Sequence, residues 1–406
     1  MTAPDTTKVG YCTVDHLKIL ALFMNSPIKH GGFARLWVWA TGENDRLLPH
    51  QPEMLVALND LADTFSRALF SVCLENPLRD GATIEYAVMS GSQDVLEEAG
   101  PPAANVRHRF HLLPADGPLR VALTSCNHIT DKGAKGSQIE ERLRMWTALG
   151  DEIEQEEIDL ILHMGDQIYA DEAVGITKEH HPSTWPYASM DSPAAAQTRV
   201  GYYDMYVKGW RRPPVRRALQ ACQSVMMWDD HDIIDGWGSQ SENFHDQHRM
   251  FFTIGRQCFE ELQASTNPAS MNEASFGCGF VNNGVGFLVL DGRSNRNWHA
   301  KTVLGESQMQ AIKQWLESSE TTDVHSLIVV SGVPIAFPTS KFAEKFATGG
   351  QDDIRDSWFA TNNRDQCQQL LDLLFAFKAA RNAQVVVVSG DSHVGSLGTI
   401  RAQPDA

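Results

Sequence analysis

Five strand-like apolar runs in this chain each end in side chains suited to metal or phosphate: Thr124–His128, Gly165–Tyr169, Trp228–Asp232, Asp291–Arg296 and Gly390–His393. One such ending carries little weight, because Asp caps helices and Cys fills cores. Five of them put Cys, Asp, His, Tyr and Arg at the tips of a sheet, where α/β proteins assemble active sites.

The surrounding pattern supports such a sheet. Leu119–Leu123, Asp159–Leu162, Val225–Trp228, Phe287–Leu290, Leu327–Val330 and Val385–Val388 are short and largely apolar. They alternate with helical spacings: Ile139, Leu143, Trp146 and Ile153; Met309, Ile312 and Leu316; Leu370, Leu371, Leu374 and Phe377. Ser137–Glu140 reads as a capping box opening the first of these helices. Buried strands alternating with helices indicate a largely parallel sheet covered on both faces. The first 118 residues differ. Phe33–Ala40, Ala82–Val88 and Val106–Leu112 alternate in polarity like half-buried antiparallel strands, with a helix expected over Glu53–Ser71 and a core segment at Leu17–Met24. The Pro114–Pro118 stretch marks a boundary, giving a β-rich domain over 1–118 and an α/β domain over 119–406. Glu172–Ala195, rich in His, Pro, Ser and Ala, reads as a loop or lid, with His180 and His181 as a solvated pair.

Composition restricts the function. The formal net charge of -17 weighs against a nucleic-acid partner. Seven scattered cysteines, with no CxxC, fit a reducing compartment better than a disulfide framework. Cys126 stands apart by its neighbours; the other six read as small buried hydrophobes. No Sec or Tat signal is visible, so a cytoplasmic location is expected ahead of a periplasmic one. No apolar stretch approaches membrane-span length. The sequence is silent on oligomeric state.

Each ending has its own chemistry. Cys126 and His128, at i and i+2 of an extended chain, share one face and both bind transition metals. Gly165 lets the chain turn tightly to present Asp166, and Tyr169 supplies a hard phenolate donor. His163, inside the strand, reads as a satisfied core histidine. Trp228–Asp232 is the strongest signal: three carboxylates around His231 repel one another unless a cation lies among them. Asp391 and His393 follow another buried strand. The guanidinium forks of Arg293 and Arg296 match phosphate oxygens.

Taken together, Ser125-Cys126, the Gly165-Asp-x-Ile-Tyr169 segment, Trp228-Asp-Asp-His231, Asp291-x-Arg293 and Gly390-Asp-x-His393 resemble the PhoD-like phosphatases, a branch of the calcineurin-like metallophosphoesterases. The resemblance spans roughly residues 119–400. It implies a four-layer α/β/β/α catalytic domain preceded by a small β-sandwich. It implies phosphate-ester hydrolysis by a metal-bound hydroxide, acting on small monoesters or diesters. Two or more metals would serve: Fe(3+) with Ca(2+), or Mn(2+) or Zn(2+) as in other relatives. Cys126, Asp166 and Tyr169 would hold the iron-like metal, and Asp166 and Asp230 would bridge toward or hold the second. Asp391 and His393 would complete the site. His231 would stand beside the leaving group, oriented by Asp229 or Asp232; Arg293 would bind the phosphate, assisted by Arg296. The chain departs from the pattern at Ser331–Pro334, where many metallophosphoesterases carry a metal-binding His. It also ends soon after His393, where further strands are expected. A catalytically silent metal- or phosphate-binding protein on the same fold is the alternative.

Overall fold

The computed structural model describes residues 1–24, 32–41, 46–47, 53–57, 59–61, 65–74, 76–128, 136–336, 351–393 and 395–401. Strands β1 (Thr6–Val9), β2 (His16–Met24), β3 (Phe33–Ala40), β4 (Arg46–Leu47), β5 (Glu53–Ala57), β6 (Asn59–Leu61), β7 (Phe65–Cys73), β8 (Thr83–Gly91) and β9 (His108–His111) open the chain. They form two antiparallel sheets, β1-β2-β7-β6 and β4-β3-β8-β9, with β5 also on β3. The helix expected over Glu53–Ser71 is instead β5, β6 and most of β7. In Phe65–Cys73 the apolar residues alternate, and Phe70 pairs with Ile19 of β2; that period favours a strand over a helix. Ile19, Ala21 and Phe23 pack against Leu36, Val38, Phe70, Ile84 and Phe110 between the sheets. The opposite face of β2, at Leu20 and Leu22, joins the core of the following α/β region, so the two parts share buried surface.

After Pro118 come β10 (Val121–Thr124), β11 (Leu160–Met164) and β12 (Gln223–Met227), parallel and adjacent in that order. A second sheet holds β13 (Cys278–Asn282), β14 (Val285–Val289), β15 (Ser326–Ser331) and β16 (Gln384–Ser389). Its last three strands are parallel and β13 is antiparallel to β14. Asn283 and Gly284, both at positive φ (48° and 70°), make the turn between them; an Asn-Gly pair takes that conformation readily. The parallel strands therefore belong to two sheets rather than one. Leu160, Leu162, Met164, Val225 and Met227 from the first meet Cys278, Phe280, Phe287, Val289 and Val330 from the second in one core.

Helices cover the other faces. Gly136–Glu154, Pro193–Trp210, Pro213–Ala221 and Glu242–Leu262 pack on the first sheet through Trp146, Tyr206, Val215 and Phe251. Glu306–Glu317 and Arg364–Arg381 pack on the second through Ile312, Trp315, Leu370 and Leu374. The first helix begins at Gly136, so Ser137 lies inside it rather than at its cap. The expected loop at Glu172–Ala195 holds for its middle half, 181–192; the helices Asp171–His180 and Pro193–Trp210 take its two ends. His180 is exposed and His181 half-buried. Five of the six cysteines other than Cys126 are buried; Cys73, on an outward position of β7, is exposed. Among the described residues no helix is long and apolar enough to cross a membrane.

Candidate metal and phosphate site

The carboxyl ends of the parallel strands converge. Cys126 N–H donates to Gly165 O (3.4 Å) and Asn127 N–H to Asp166 O (2.7 Å), joining the tips of β10 and β11. Gly390 N–H reaches Gly332 O (3.0 Å), joining the tips of β15 and β16, and across the two sheets Asp391 N–H reaches Ser125 Oγ (3.4 Å). Cys126, Asp166, Asp391 and His393 all sit at positive φ, between 51° and 66°. Each such non-glycine residue costs on the order of 1–3 kcal/mol, and strain of that kind clusters where function fixes the backbone. Gly165, at φ 90°, makes the turn before Asp166; a Cβ there would lie 2.5 Å from that of Asp229.

Among the described residues, two sets of potential ligands each bring their atoms within 4.8 Å of one another: Asp166, Asp230 and His231, and Asp229, Asp230 and Asp391. Asp230 is common to both. Asp166 Oδ1 and Asp229 Oδ2 are buried without a hydrogen-bond partner. Burial, then repulsion from Asp230 and Asp229, pushes the Asp166 carboxyl well above the usual range. Burial, then Asp229 and Asp230, pushes Asp391 to about 8. Burial raises Asp229 to about 6, against the pull of the Arg293 guanidinium. Carboxylates this crowded stay ionised together only with a cation among them. The two orphaned oxygens are the lone pairs such a cation needs, so these residues fit a hard or borderline metal.

The soft and aromatic donors form one flank. Cys126 Sγ lies 3.1 Å from Ser125 Oγ, and burial raises its thiol pKa. Tyr169 is sandwiched between two imidazoles, 4.3 Å from the His128 ring and 4.2 Å from the His231 ring. Its hydroxyl lies 3.3 Å from His393 Nε2. Burial and the nearby Asp166 raise the phenol pKa, so the proton leaves only if a cation replaces it. His128 and His393 lie on the exposed side; neither joins the two carboxylate sets.

His231 is held by a residue that sequence reasoning missed. Its Nδ1 is 2.5 Å from Asp171 Oδ2, and Asp171 Oδ1 accepts from Asp235 N–H (2.8 Å). Burial lowers the imidazole pKa, but Asp171, then Asp230, overrides this and carries it to about 9. Neither carboxylate expected to orient the ring does so. Asp229 is committed to Arg293, and Asp232 accepts from the amides of Asp166 (2.9 Å) and Asp229 (3.0 Å).

The arginines are also placed otherwise than expected. Arg293 is fully buried, and its whole fork is engaged. Nε donates to Asp229 Oδ1; Nη1 to Trp237 O (2.8 Å) and Asp356 Oδ1 (3.0 Å); Nη2 to Asp230 Oδ1 (3.3 Å) and Asp356 Oδ2 (3.0 Å). Those are five donors with five acceptors, which leaves none directed at a phosphate. Arg296 is buried beside it, 2.9 Å from Asp356 Oδ1. Asp356, which no local pattern singles out, thus binds both. Asp291 accepts from Trp228 Nε1 (2.8 Å) and from the amides of Phe276, Arg293 and Ser294, so it shapes the loop. His163 is a core residue as expected: it bonds Gln167, Ser224 and Thr124 at 3.1–3.3 Å.

At Ser331–Pro334 the tip of β15 presses on Asp229: a Cβ on Gly332 would lie 2.8 Å from Asp229 Oδ1. A larger residue at Gly332 would collide with the carboxylate cluster itself.

Known proteins share this architecture. By structure the chain is similar to PhoD, with a TM-score of 0.61 and 18% identity over 97% of this chain and 72% of that one. It is also similar to the purple acid phosphatase PPD1 from yellow lupin (Lupinus luteus), with a TM-score of 0.51 and 12% identity over 85% and 54%. By sequence it is 23% identical over 325 residues to the uncharacterized protein YGR266W of Saccharomyces cerevisiae; the match covers 60% of this chain and 45% of that protein. The chain thus spans less than half the length of that relative. The family model described as PhoD-like phosphatase matches residues 121–405, from the first parallel strand through every ligand cluster described above, and the chain belongs to that family.

Proposed function

We propose that this chain is a phosphoric ester hydrolase that uses two cations held by Asp166, Asp229, Asp230 and Asp391 on a four-layer α/β/β/α domain. One observation carries the reading: Asp166 Oδ1 and Asp229 Oδ2 are buried without partners, and each residue belongs to a ligand set that includes Asp230. The cations, when bound, would activate water and offset the phosphoryl charge.

The protein's own groups supply the rest. Asp230, common to both ligand sets, would contribute to holding both cations. Cys126 and Tyr169 lie beside Asp166 and suit a ferric ion there, with Ca(2+), Mn(2+) or Zn(2+) on the Asp229–Asp391 side. With Nδ1 taken by Asp171, Nε2 of His231 is the nitrogen that remains for the leaving oxygen. At a pKa of about 9 that imidazole is protonated at neutral pH and donates a proton to the departing alkoxide. Arg293 acts from behind the site, holding Asp229, Asp230 and Asp356 in one buried array.

Elemental analysis of the purified protein, paired with hydrolysis of aryl phosphate and bis-aryl phosphate, tests the proposal. The expected result is two metal equivalents and turnover of at least one ester, with a visible charge-transfer band if ferric ion meets Cys126 or Tyr169. Metal without hydrolysis of any ester would support the silent-binder alternative; a metal-free, active preparation would sink the proposal.

A further inference from the structure

Asp232 has donors on both carboxylate oxygens, and it spans two strand ends. It is fully buried. Its Oδ2 accepts from Asp166 N–H (2.9 Å), at the tip of β11, and from Asp229 N–H (3.0 Å), beyond β12. Its Oδ1 accepts from Tyr206 Oη (3.0 Å) and Gln263 Nε2 (3.3 Å). Gln263 Nε2 also donates to Tyr206 Oη (2.8 Å), and the Gln263 carbonyl accepts from Lys8 Nζ of β1 (3.4 Å).

We propose that Asp232 is a positioning residue: one carboxylate oxygen sets the separation of the Asp166 and Asp229 backbones, and Tyr206 and Gln263 fix the other oxygen. The proposal rests on the reading of Asp166 and Asp229 as cation ligands. A local cap explains only the bond to Asp229, three residues earlier. The bond to Asp166, 66 residues away in sequence, crosses from one strand end to the next. Asp166 needs that support, since it holds φ 56° directly after Gly165 at φ 90°. With four donors on its two oxygens, Asp232 acts through the ligands' backbones rather than at a metal. The tie from Gln263 to Lys8 anchors the clamp in the N-terminal sheets.

Three variants test the clamp. Asp232→Ala removes both acceptors; Asp232→Asn keeps one oxygen for the two amides; Tyr206→Phe removes a single bond to Oδ1. Amide exchange at Asp166 and Asp229 is measured in chelator-treated protein, and affinity for Mn(2+) by calorimetry. In Asp232→Ala, exchange at both amides should rise at least about tenfold, and Mn(2+) affinity should fall about tenfold or more. Asp232→Asn should recover most of both, and Tyr206→Phe should show a smaller rise in exchange. Unchanged exchange at both amides in Asp232→Ala overturns the proposal, as does a loss of global stability with wild-type Mn(2+) affinity. If Asp232→Ala does not fold, unchanged exchange in Tyr206→Phe overturns it. Wild-type protein that binds no metal would sink the proposed function instead, and the exchange rates would still decide for or against the clamp.

Discussion

His231 Nδ1 and Asp171 Oδ2 stand 2.5 Å apart, and Asp171 is locked from its other side by the amide of Asp235. The pair fixes both the direction of the imidazole and its charge. Its pKa of about 9 lies above the usual histidine value, so the protonated form is present through neutral pH and is lost as pH rises past about 9. Asp171→Asn removes the partner that contributes most to raising it, while Asp230 and Asp235 remain. The alkaline limb of the kcat/KM profile should then move down toward the ordinary histidine range, near pH 6.5. An alkaline limb left in place in Asp171→Asn would remove His231 as its source.

Replacement of His231 by Ala separates a proton donor from a metal ligand. As donor, its loss should cut turnover about 10²–10⁴-fold while metal content stays near wild type. Esters with acidic phenols as leaving groups should suffer least, because they depart without a proton. Loss of one metal equivalent in the same variant would assign His231 to the Asp166–Asp230 ligand set.

Arg293 is expected to matter first for stability. Removing it leaves Asp229, Asp230 and Asp356 buried without their common counter-charge, a change of a kind that costs about 3–5 kcal/mol. Lysine in its place retains the charge but lacks the planar five-donor fork that reaches three carboxylates. Denaturant unfolding of Arg293→Ala and Arg293→Lys should therefore show large and intermediate losses. Adding Asp356→Ala to Arg293→Ala should deepen the loss rather than relieve it, because Asp356 is still paired with Arg296 and its removal leaves that buried guanidinium without a counter-charge. A variant that keeps wild-type stability but raises KM strongly would return Arg293 to direct phosphate contact.

The sequence revealed the parallel strands and their tips because a buried strand leaves a compact apolar run, and because Gly-Asp and Trp-Asp-Asp-His stand directly after such runs. It did not reveal which carboxylate faces which partner. Asp229 and Asp232 flank His231 in sequence and Asp171 lies 60 residues away, yet the fold gives Asp171 to His231, Asp229 to Arg293 and Asp232 to two amides. Asp356 lies more than 60 residues from Arg293 and carries no local mark, so its role is purely tertiary. The N-terminal strands are hidden for a different reason: Glu53–Ala57 is a strand because it pairs with the earlier β3, which local spacing does not encode, while Asn59–Leu61 folds back on the adjacent β7. Asn283-Gly284, by contrast, is a hairpin signal legible in the sequence.

The core histidine His163 gives a prediction independent of metal. Burial drives its pKa to about 3, below the usual histidine value. The unfolded chain therefore binds a proton near pH 6.5 that the native state refuses until about pH 3. Stability from this group is complete above pH 6.5 and is lost as pH falls, by up to about 1.4 kcal/mol per pH unit. His163→Gln, which can keep hydrogen bonds to its neighbours, should flatten the acid limb of stability between pH 6 and pH 4. An unchanged slope in urea unfolding across that range would show that other groups govern acid sensitivity.

Gly332 tests the geometry of the cluster from its far side. A Cβ there would stand 2.8 Å from Asp229 Oδ1, the oxygen paired with Arg293. Asp229 is pinned by that arginine at its carboxylate and by the hydrogen bond its backbone N–H donates to Asp232 Oδ2, so it has little room to retreat. Gly332→Ala should therefore displace the Asp229 carboxylate, weakening metal on the Asp229–Asp230–Asp391 side while leaving the Asp166–Asp230–His231 side less affected. Metal titration should show one of two equivalents weakened. Equal weakening of both would mean that the strain passes through Asp230, and unchanged affinity at both would remove Asp229 from the ligand set.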